Sequence, residues 1–238
     1  MRIAVFSDIH GNLHALQAVL EDIDRVRPDA IYCLGDLVGY GAYPNEVIEQ
    51  VLLRGIPTVM GNYDQGVGLD HDDCGCAYRT DEARALGNES LRWTRARVTA
   101  ENKARLRALL PSLRLTWGER SALLVHGSPR KINEYVYADR PEASLERIAA
   151  SASANVLVFG HTHQPWSRVV GSVFMLNDGS VGKPKDGDPR AAWALLQVGE
   201  ETQVSIRRVR YDVQAAADAV RASGLPATYA DLLLTARG

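Results

Sequence analysis

The chain has 238 residues, 46% hydrophobic and 24% charged, the make-up of one packed α/β domain rather than a disordered or fibrous chain. Its formal charge of −2 argues against a general nucleic-acid coat, and no apolar run approaches the roughly 18 residues that a membrane span needs. Three cysteines, Cys33, Cys74 and Cys76, imply no disulfide framework and point to the reducing cytoplasm. The apolar run at residues 3–6 stops at Ser7-Asp8, too early for a secretory core.

Residues 2–6 form a first apolar run, which meets Asp8-Ile9-His10. After Asn12, an N-cap residue type, Leu13, Leu16, Val19, Leu20 and Ile23 mark a one-sided helix. Residues 30–34 meet Gly35-Asp36, and a second stripe follows Pro44 at Val47, Ile48, Val51 and Leu52, closed by Gly55. A third apolar run, 56–60, meets Gly61-Asn62-Tyr63-Asp64. Two helical patterns over 79–110, broken by Pro111, lie where only a connection is needed. They predict a helical insertion or cap at about 66–120. Residues 121–125 then meet His126-Gly127, and 155–159 meet Gly160-His161-Thr162-His163.

Runs of about five Val, Ile and Leu residues without polar alternation read as strands buried on both faces. Strand and helix in alternation predict an α/β sheet with mostly parallel neighbours. Past His163, residues 169–170, 173–176, 191–198 and 204–210 look like a meander, and 213–222 and 227–236 like two helices. No repeat or long linker interrupts the chain, so residues 1–238 read as a single domain.

In open α/β sheets ligands sit beyond the carboxyl ends of the strands, and all five polar tips take that position. Together they supply Asp8, His10, Asp36, Asn62, His126, His161 and His163, four of the six histidines among them. The i, i+2 spacing of Asp8/His10 and His161/His163 lets each pair point one way from an extended segment. A single aspartate at a strand end is as a rule a cap or turn residue, and a single histidine a hydrogen-bonded rim residue. Five tips of compatible chemistry are another matter. Seven N and O donors exceed what one tetrahedral zinc takes and suit two divalent ions sharing a carboxylate.

The blocks Asp8-x-His10, Gly35-Asp36, Gly61-Asn62-x-Asp64, His126-Gly127 and Gly160-His161-x-His163 resemble the five-block signature of the calcineurin-like metallophosphoesterases, and 177–182 resembles a loop after the last block. The resemblance implies an α/β sandwich of two mixed sheets flanked by helices. It also implies one ion on Asp8, His10, Asp36 and His163, another on Asp36, Asn62, His126 and His161, and Asp36 as the bridge. Manganese is the first choice of metal, with iron, zinc, nickel or cobalt as alternatives. The implied reaction is phosphoester hydrolysis by in-line attack of a metal-bridging hydroxide on a small-molecule or nucleotide substrate. Asp36, Asn62, Tyr63 and His126 are its candidate catalytic residues.

Tyr63 departs from the histidine that many family members carry near the leaving group. A phenol with pKa near 10 is a poor acid at neutral pH, and some small bacterial members lacking this histidine look like phosphodiesterases, so diesters are favoured over monoesters. The residues after Asp36 also lack the Asp-Arg of protein phosphatases and dinucleoside tetraphosphatases. Arg130 and Asn133 are candidate substrate contacts beside Asn62, against a solvated loop as the plainer reading. Asp64 is either a turn cap or a positioner of a ligand, and Tyr40 and Tyr43 line the cleft or pack. Cys74-Gly-Cys76 reads as a loop. Nine Lys or Arg against four acids over 79–114 (Arg79 among them) read as a solvated helix face or a cap that draws anions. A phosphomonoesterase and a non-catalytic scaffold are the rival readings. No dedicated nucleic-acid module is present, and the oligomeric state is open.

Overall fold

A computed structural model describes residues 1–78, 80–199 and 201–237; Arg79 lies outside them. The elements run β1 (Arg2–Phe6), α1 (Leu13–Val26), β2 (Ala30–Cys33), α2 (Pro44–Leu53), α3 (Asn62–Gly68), α4 (Asp81–Arg97), α5 (Ala100–Arg107), β3 (Leu113–Trp117) and β4 (Arg120–Leu124). They continue with α6 (Glu142–Ala152), β5 (Val156–Phe159), β6 (Trp166–Val170), β7 (Val173–Asn177), β8 (Ala191–Val198), β9 (Thr202–Val209), α7 (Val213–Ser223) and α8 (Thr228–Thr235).

Two sheets form, ordered β2-β1-β8-β9 and β3-β4-β5-β7-β6. Strand alternation puts Ile3 and Val5 of β1 on the inner face with Ala194 and Leu196. There they meet Leu124, Val158 and Leu176 of the second sheet. Ala4 and Phe6 face outward and pack on Leu16, Val19, Leu20 and Ile23 of α1. On the far side, Leu123, Leu157, Phe159 and Met175 pack on Leu145 and Ile148 of α6. The order helix, sheet, sheet, helix buries the inner strands β1, β4, β5, β7 and β8 on both faces, which is why their runs lack polar alternation, whereas the edge strands β3, β6 and β9 stay partly exposed.

Both sheets are mixed. β1–β2, β4–β5 and β5–β7 are parallel, whereas β1–β8, β3–β4, β6–β7 and β8–β9 are antiparallel. The mostly parallel arrangement read from the strand–helix spacing therefore gives way. The strands after His163 are not one meander but two hairpins, β6–β7 in one sheet and β8–β9 in the other. Residues 56–60 are no full strand either. They make isolated bridges, Cys33 to Thr58 and Val59 to Leu110, because Pro57 has no N–H to donate and offers β2 only its carbonyl, which accepts from the Cys33 N–H at 3.0 Å.

Residues 66–120 include the helices α4 and α5, and Leu113–Trp117 is an edge strand of the second sheet. No helix among the described residues is long and apolar enough to cross a membrane. The architecture fixes where chemistry can occur: β1, β2, β4, β5 and β7 release their carboxyl ends on one side of the sandwich, at Ser7, Leu34, Val125, Gly160 and Asp178.

Candidate metal centre

The loops that leave β1 and β2 are laced together by backbone bonds: Asp8 N–H to Gly35 O, His10 N–H to Asp36 O and Gly11 N–H to Leu37 O, each 2.9 Å. To make these contacts Asp8, His10 and Asp36 adopt left-handed backbone, at φ 54°, 51° and 53°, and His161 and His163 do the same at 67° and 60°. Left-handed backbone costs an ordinary residue about 1–2 kcal/mol. Five such residues in one site mark strain held for function. The close approach falls to glycines. A Cβ on Gly61 would lie 2.1 Å from Asp36 Oδ1, and one on Gly160 2.6 Å from Asp8 Oδ2.

The structure brings together all seven predicted donors, each at most 3% exposed. Six of them fall into two sets of mutually close atoms, Asp8–His10–His163 and Asp36–His126–His161, and Asn62 adjoins the second through His126. Nδ1 of His10 donates to Val38 O (3.0 Å), that of His126 to Leu34 O (2.9 Å) and that of His163 to Lys183 O (2.5 Å). A carbonyl accepts only, so in the neutral rings Nδ1 carries the proton and Nε2 turns a lone pair inward. His10 Nε2 then stands 3.2 Å from His163 Nε2. His126 Nε2 stands 3.2 Å from His161 Nδ1 and 3.1 Å from Asn62 Oδ1.

Asp8 Oδ1 has no hydrogen-bond partner and lies 3.2 Å from His163 Nε2 and 3.6 Å from His10 Nε2. Facing lone pairs without a proton between them repel unless a cation intervenes. Two metal–nitrogen bonds of about 2.0–2.1 Å hold their nitrogens about 3 Å apart. The donor set therefore fits two divalent ions. Asp36 Oδ2 lies 3.6 Å from His10 Nε2 and 3.4 Å from His126 Nε2, within reach of both sets. Its Oδ1 accepts from the Tyr63 N–H at 2.8 Å.

The electrostatics point the same way. Burial pushes the Asp8 carboxyl up, but the His163 and His10 rings outweigh it and hold the group well below the usual carboxylate range. Burial brings His161 and His163 down to about 3, so both stay neutral donors. Burial also works against a charged His126, yet the Asp36 carboxylate prevails and pushes that ring up to about 10. Two buried carboxylates call for a cation, and His126 supplies a proton where no metal does.

Other assignments shift. Asn62 Nδ2 donates to Cys74 O at 3.0 Å and to Cys76 Sγ at 3.4 Å, which fixes Oδ1 toward His126. The Cys74-Gly-Cys76 loop thus aims the Asn62 amide, a role the sequence does not announce. Arg130 is tied to Glu134 in an ion pair, and Asn133 Nδ2 donates to Gly75 O at 2.6 Å; both side chains brace loops. Of residues 79–114, Ala83 and Leu86 line the neighbouring cavity, while Arg95, Lys103 and Arg105 pair with Asp72, Asp70 and Glu101. The cationic stretch is a surface feature among the described residues. Lys183 and Lys185, unflagged in the sequence, line that cavity of about 620 Å³ beside the centre. Burial pushes both amines down.

A two-sheet sandwich that gathers two carboxylates, four imidazoles and an amide at the strand ends defines a metal-dependent phosphoesterase. Residues 1–201 match the calcineurin-like phosphoesterase superfamily domain, and the chain belongs to that superfamily. It is similar to a metallophosphoesterase of solved structure from Sphaerobacter thermophilus, at 32% identity and a TM-score of 0.78 over 99% of each chain. It is 30% identical to the uncharacterized protein MJ0912 of Methanocaldococcus jannaschii, over 99% of this chain and 98% of that one. The phosphodiesterase YfcE of Escherichia coli K12 is 26% identical over 82% of this chain and 87% of its own length.

Proposed function

We propose that the chain is a phosphodiesterase with two divalent ions in its active site. The observation that carries this reading is the position of Asp36 Oδ2, within 3.6 Å of a ligand nitrogen in each set. Asp8, His10, Asp36 and His163 would hold one ion, and Asp36, Asn62, His126 and His161 the other. Bound there, the ions would supply Lewis acidity toward the phosphoryl oxygens and an activated water for attack on phosphorus. Imidazoles mixed with carboxylates suit manganese first, and iron, cobalt, nickel or zinc as well.

The chain's own groups do the rest. Backbone carbonyls of Val38, Leu34 and Lys183 fix three histidine tautomers, and Asn62 is aimed by Cys74. The amines of Lys183 and Lys185 line the approach and favour an anion. A diester is favoured because position 63 offers a phenol that burial pushes well above its ordinary pKa, so no side chain there can protonate a poor leaving group at neutral pH. The kinship with a protein named as a phosphodiesterase supports the same choice. Three free thiols suit the cytoplasm.

The test is hydrolysis of bis(4-nitrophenyl) phosphate beside 4-nitrophenyl phosphate by protein stripped of metal and reloaded with Mn²⁺, with Asp36→Asn as control. Metal-dependent turnover favouring the diester is expected, with Asp36→Asn losing more than the roughly 10–100-fold that loss of an outer partner costs. Preference for the monoester would make the chain a phosphatase. Bound metal without turnover of either ester would leave a scaffold.

A further inference from the structure

The cavity of about 620 Å³ next to the metal ligands has walls of an unusual kind. Tyr135, Tyr137, Tyr78 and Tyr229 line it together with Lys183 and Lys185. It adjoins the centre directly: the Tyr135 ring lies 4.1 Å from the His161 ring, Thr162 between the two ligand histidines is part of its wall, and the Lys183 carbonyl accepts from His163. Tyr135 and Tyr137 are stacked nearly parallel, at 13° with centroids 5.8 Å apart. Neither lysine makes an ion pair with a carboxylate among the described residues. Lys183 Nζ instead sits 4.8 Å over the Tyr40 ring. Asp139 is at the exposed rim.

A pocket built only to admit a phosphate needs no aromatic lining. Phenol rings offer π-faces for a planar heteroaromatic ring, and amines without a carboxylate partner offer N–H donors for phosphate oxygens. Tyr229 belongs to α8, beyond the residues 1–201 that match the superfamily domain. This part of the wall is therefore an addition to the shared core, where specificity is expected to reside.

We infer that this cavity binds a nucleotide, its base against the tyrosine wall and its phosphate oxygens within reach of Lys183 and Lys185, so that the ester cleaved at the adjoining centre is a nucleotide diester. The inference rests on the phosphoesterase reading of that centre for the cleavage step alone. The binding step stands on the cavity.

The probe is adenosine 5′-monophosphate, compared with ribose 5-phosphate and adenosine by calorimetric titration of the Mn²⁺-loaded full chain. The nucleotide is expected to bind about tenfold or more tightly than ribose 5-phosphate, the gain being base stacking. Tyr137→Ala and the bulkier Tyr137→Leu should both shrink that ratio toward one. Lys185→Gln should weaken the nucleotide at least about fivefold while leaving adenosine nearly as it was. Equal binding of nucleotide and sugar phosphate by the unmodified protein would overturn the inference without recourse to any variant. So would a preference that survives both Tyr137 substitutions in folded protein. Assaying bis(4-nitrophenyl) phosphate on the same preparation separates the two readings. Turnover without base preference removes the nucleotide pocket and keeps the phosphodiesterase, and base preference without turnover does the reverse.

Discussion

The carboxylate of Asp64 clamps the backbone beneath Asp36, its Oδ2 accepting from the Asp36 N–H at 2.8 Å and its Oδ1 from the Leu37 N–H at 2.9 Å. The same Oδ2 takes the Gly61 N–H at 2.9 Å, the start of α3. One side chain thus ties the loop after β2 to the helix that carries Asn62, and helps hold Asp36 in its left-handed backbone. Asp64→Ala leaves three buried N–H groups without an acceptor, at about 1–3 kcal/mol each. The expected result is a melting temperature lower by many degrees and metal affinity weaker by about 10–100-fold. Asp64→Asn, keeping one oxygen, should fall between. Thermal denaturation and metal titration read both effects. An Asp64→Ala protein with unaltered melting and two tightly bound ions would show that the clamp is dispensable.

Gly61 meets Asp36 from the other side. The Cβ of Gly61→Ala would stand 2.2 Å from the Asp36 N and 2.1 Å from its Oδ1, so the carboxylate must move. Gly61 caps α3 in extended backbone, at φ −88°, which alanine can adopt, so the contact with Asp36 rather than backbone strain decides the outcome. Loss of bound metal, measured by elemental analysis of the purified variant, is the expected outcome. Full metal content would mean that the loop relaxes freely.

Metal-free protein should show a peaked stability profile. His161 and His163 have folded pKa values near 3, below the ordinary value of 6.5. Between pH 6.5 and 3 the unfolded chain therefore binds more protons, and stability falls as pH falls. His126, near 10 in the fold, does the opposite: its contribution is complete below pH 6.5 and is lost as pH rises through 10. Stability of the stripped protein should peak near pH 6.5 and decline on both sides by an amount of order a few kcal/mol. Metal loading fixes the Nε2 lone pair of His126 in place of a proton and should erase the alkaline decline. Urea titrations from pH 4 to 10 with and without Mn²⁺ decide the matter. An alkaline limb that metal leaves unchanged would contradict the proton's place on His126.

The convergence of the seven donors was legible in the sequence because strand ends in an α/β chain converge, and all of them but Asn62 follow a run that does form a strand. What supports the donors was less legible. Lys183 and Lys185 follow the last block by some twenty residues and reach the site only because β7 and β8 belong to different sheets, which folds residues 178–190 across the strand ends. Asn62 depends on the Cys74 carbonyl, a backbone group that carries no side-chain signal. Pattern also misled where one residue overruled it. Pro57 kept 56–60 from becoming a full strand, and the cations over 79–114 are met by partners at Asp70, Asp72 and Gly68 that no local reading pairs with them.

Tyr63 shows how a sequence departure acquires meaning from packing. Its ring is 1% exposed, edge-on to His10 at 5.5 Å and 4.7 Å from Tyr40, and its hydroxyl is 3.5 Å from that of Tyr78. Burial holds the phenol well above its ordinary pKa, so it keeps its proton. The contact with the centre runs through the backbone, whose N–H donates to Asp36 Oδ1 and survives any substitution that preserves the helix. Tyr63→Phe should therefore keep kcat within about threefold and leave the alkaline limb of the pH–rate profile in place. Tyr63→Ala, which opens a cavity beside His10, should cost about 3–5 kcal/mol of stability and loosen metal binding. A hundredfold loss of kcat in Tyr63→Phe together with loss of the alkaline limb would instead make the phenol a proton donor. Diester preference would then need another cause than the missing acid.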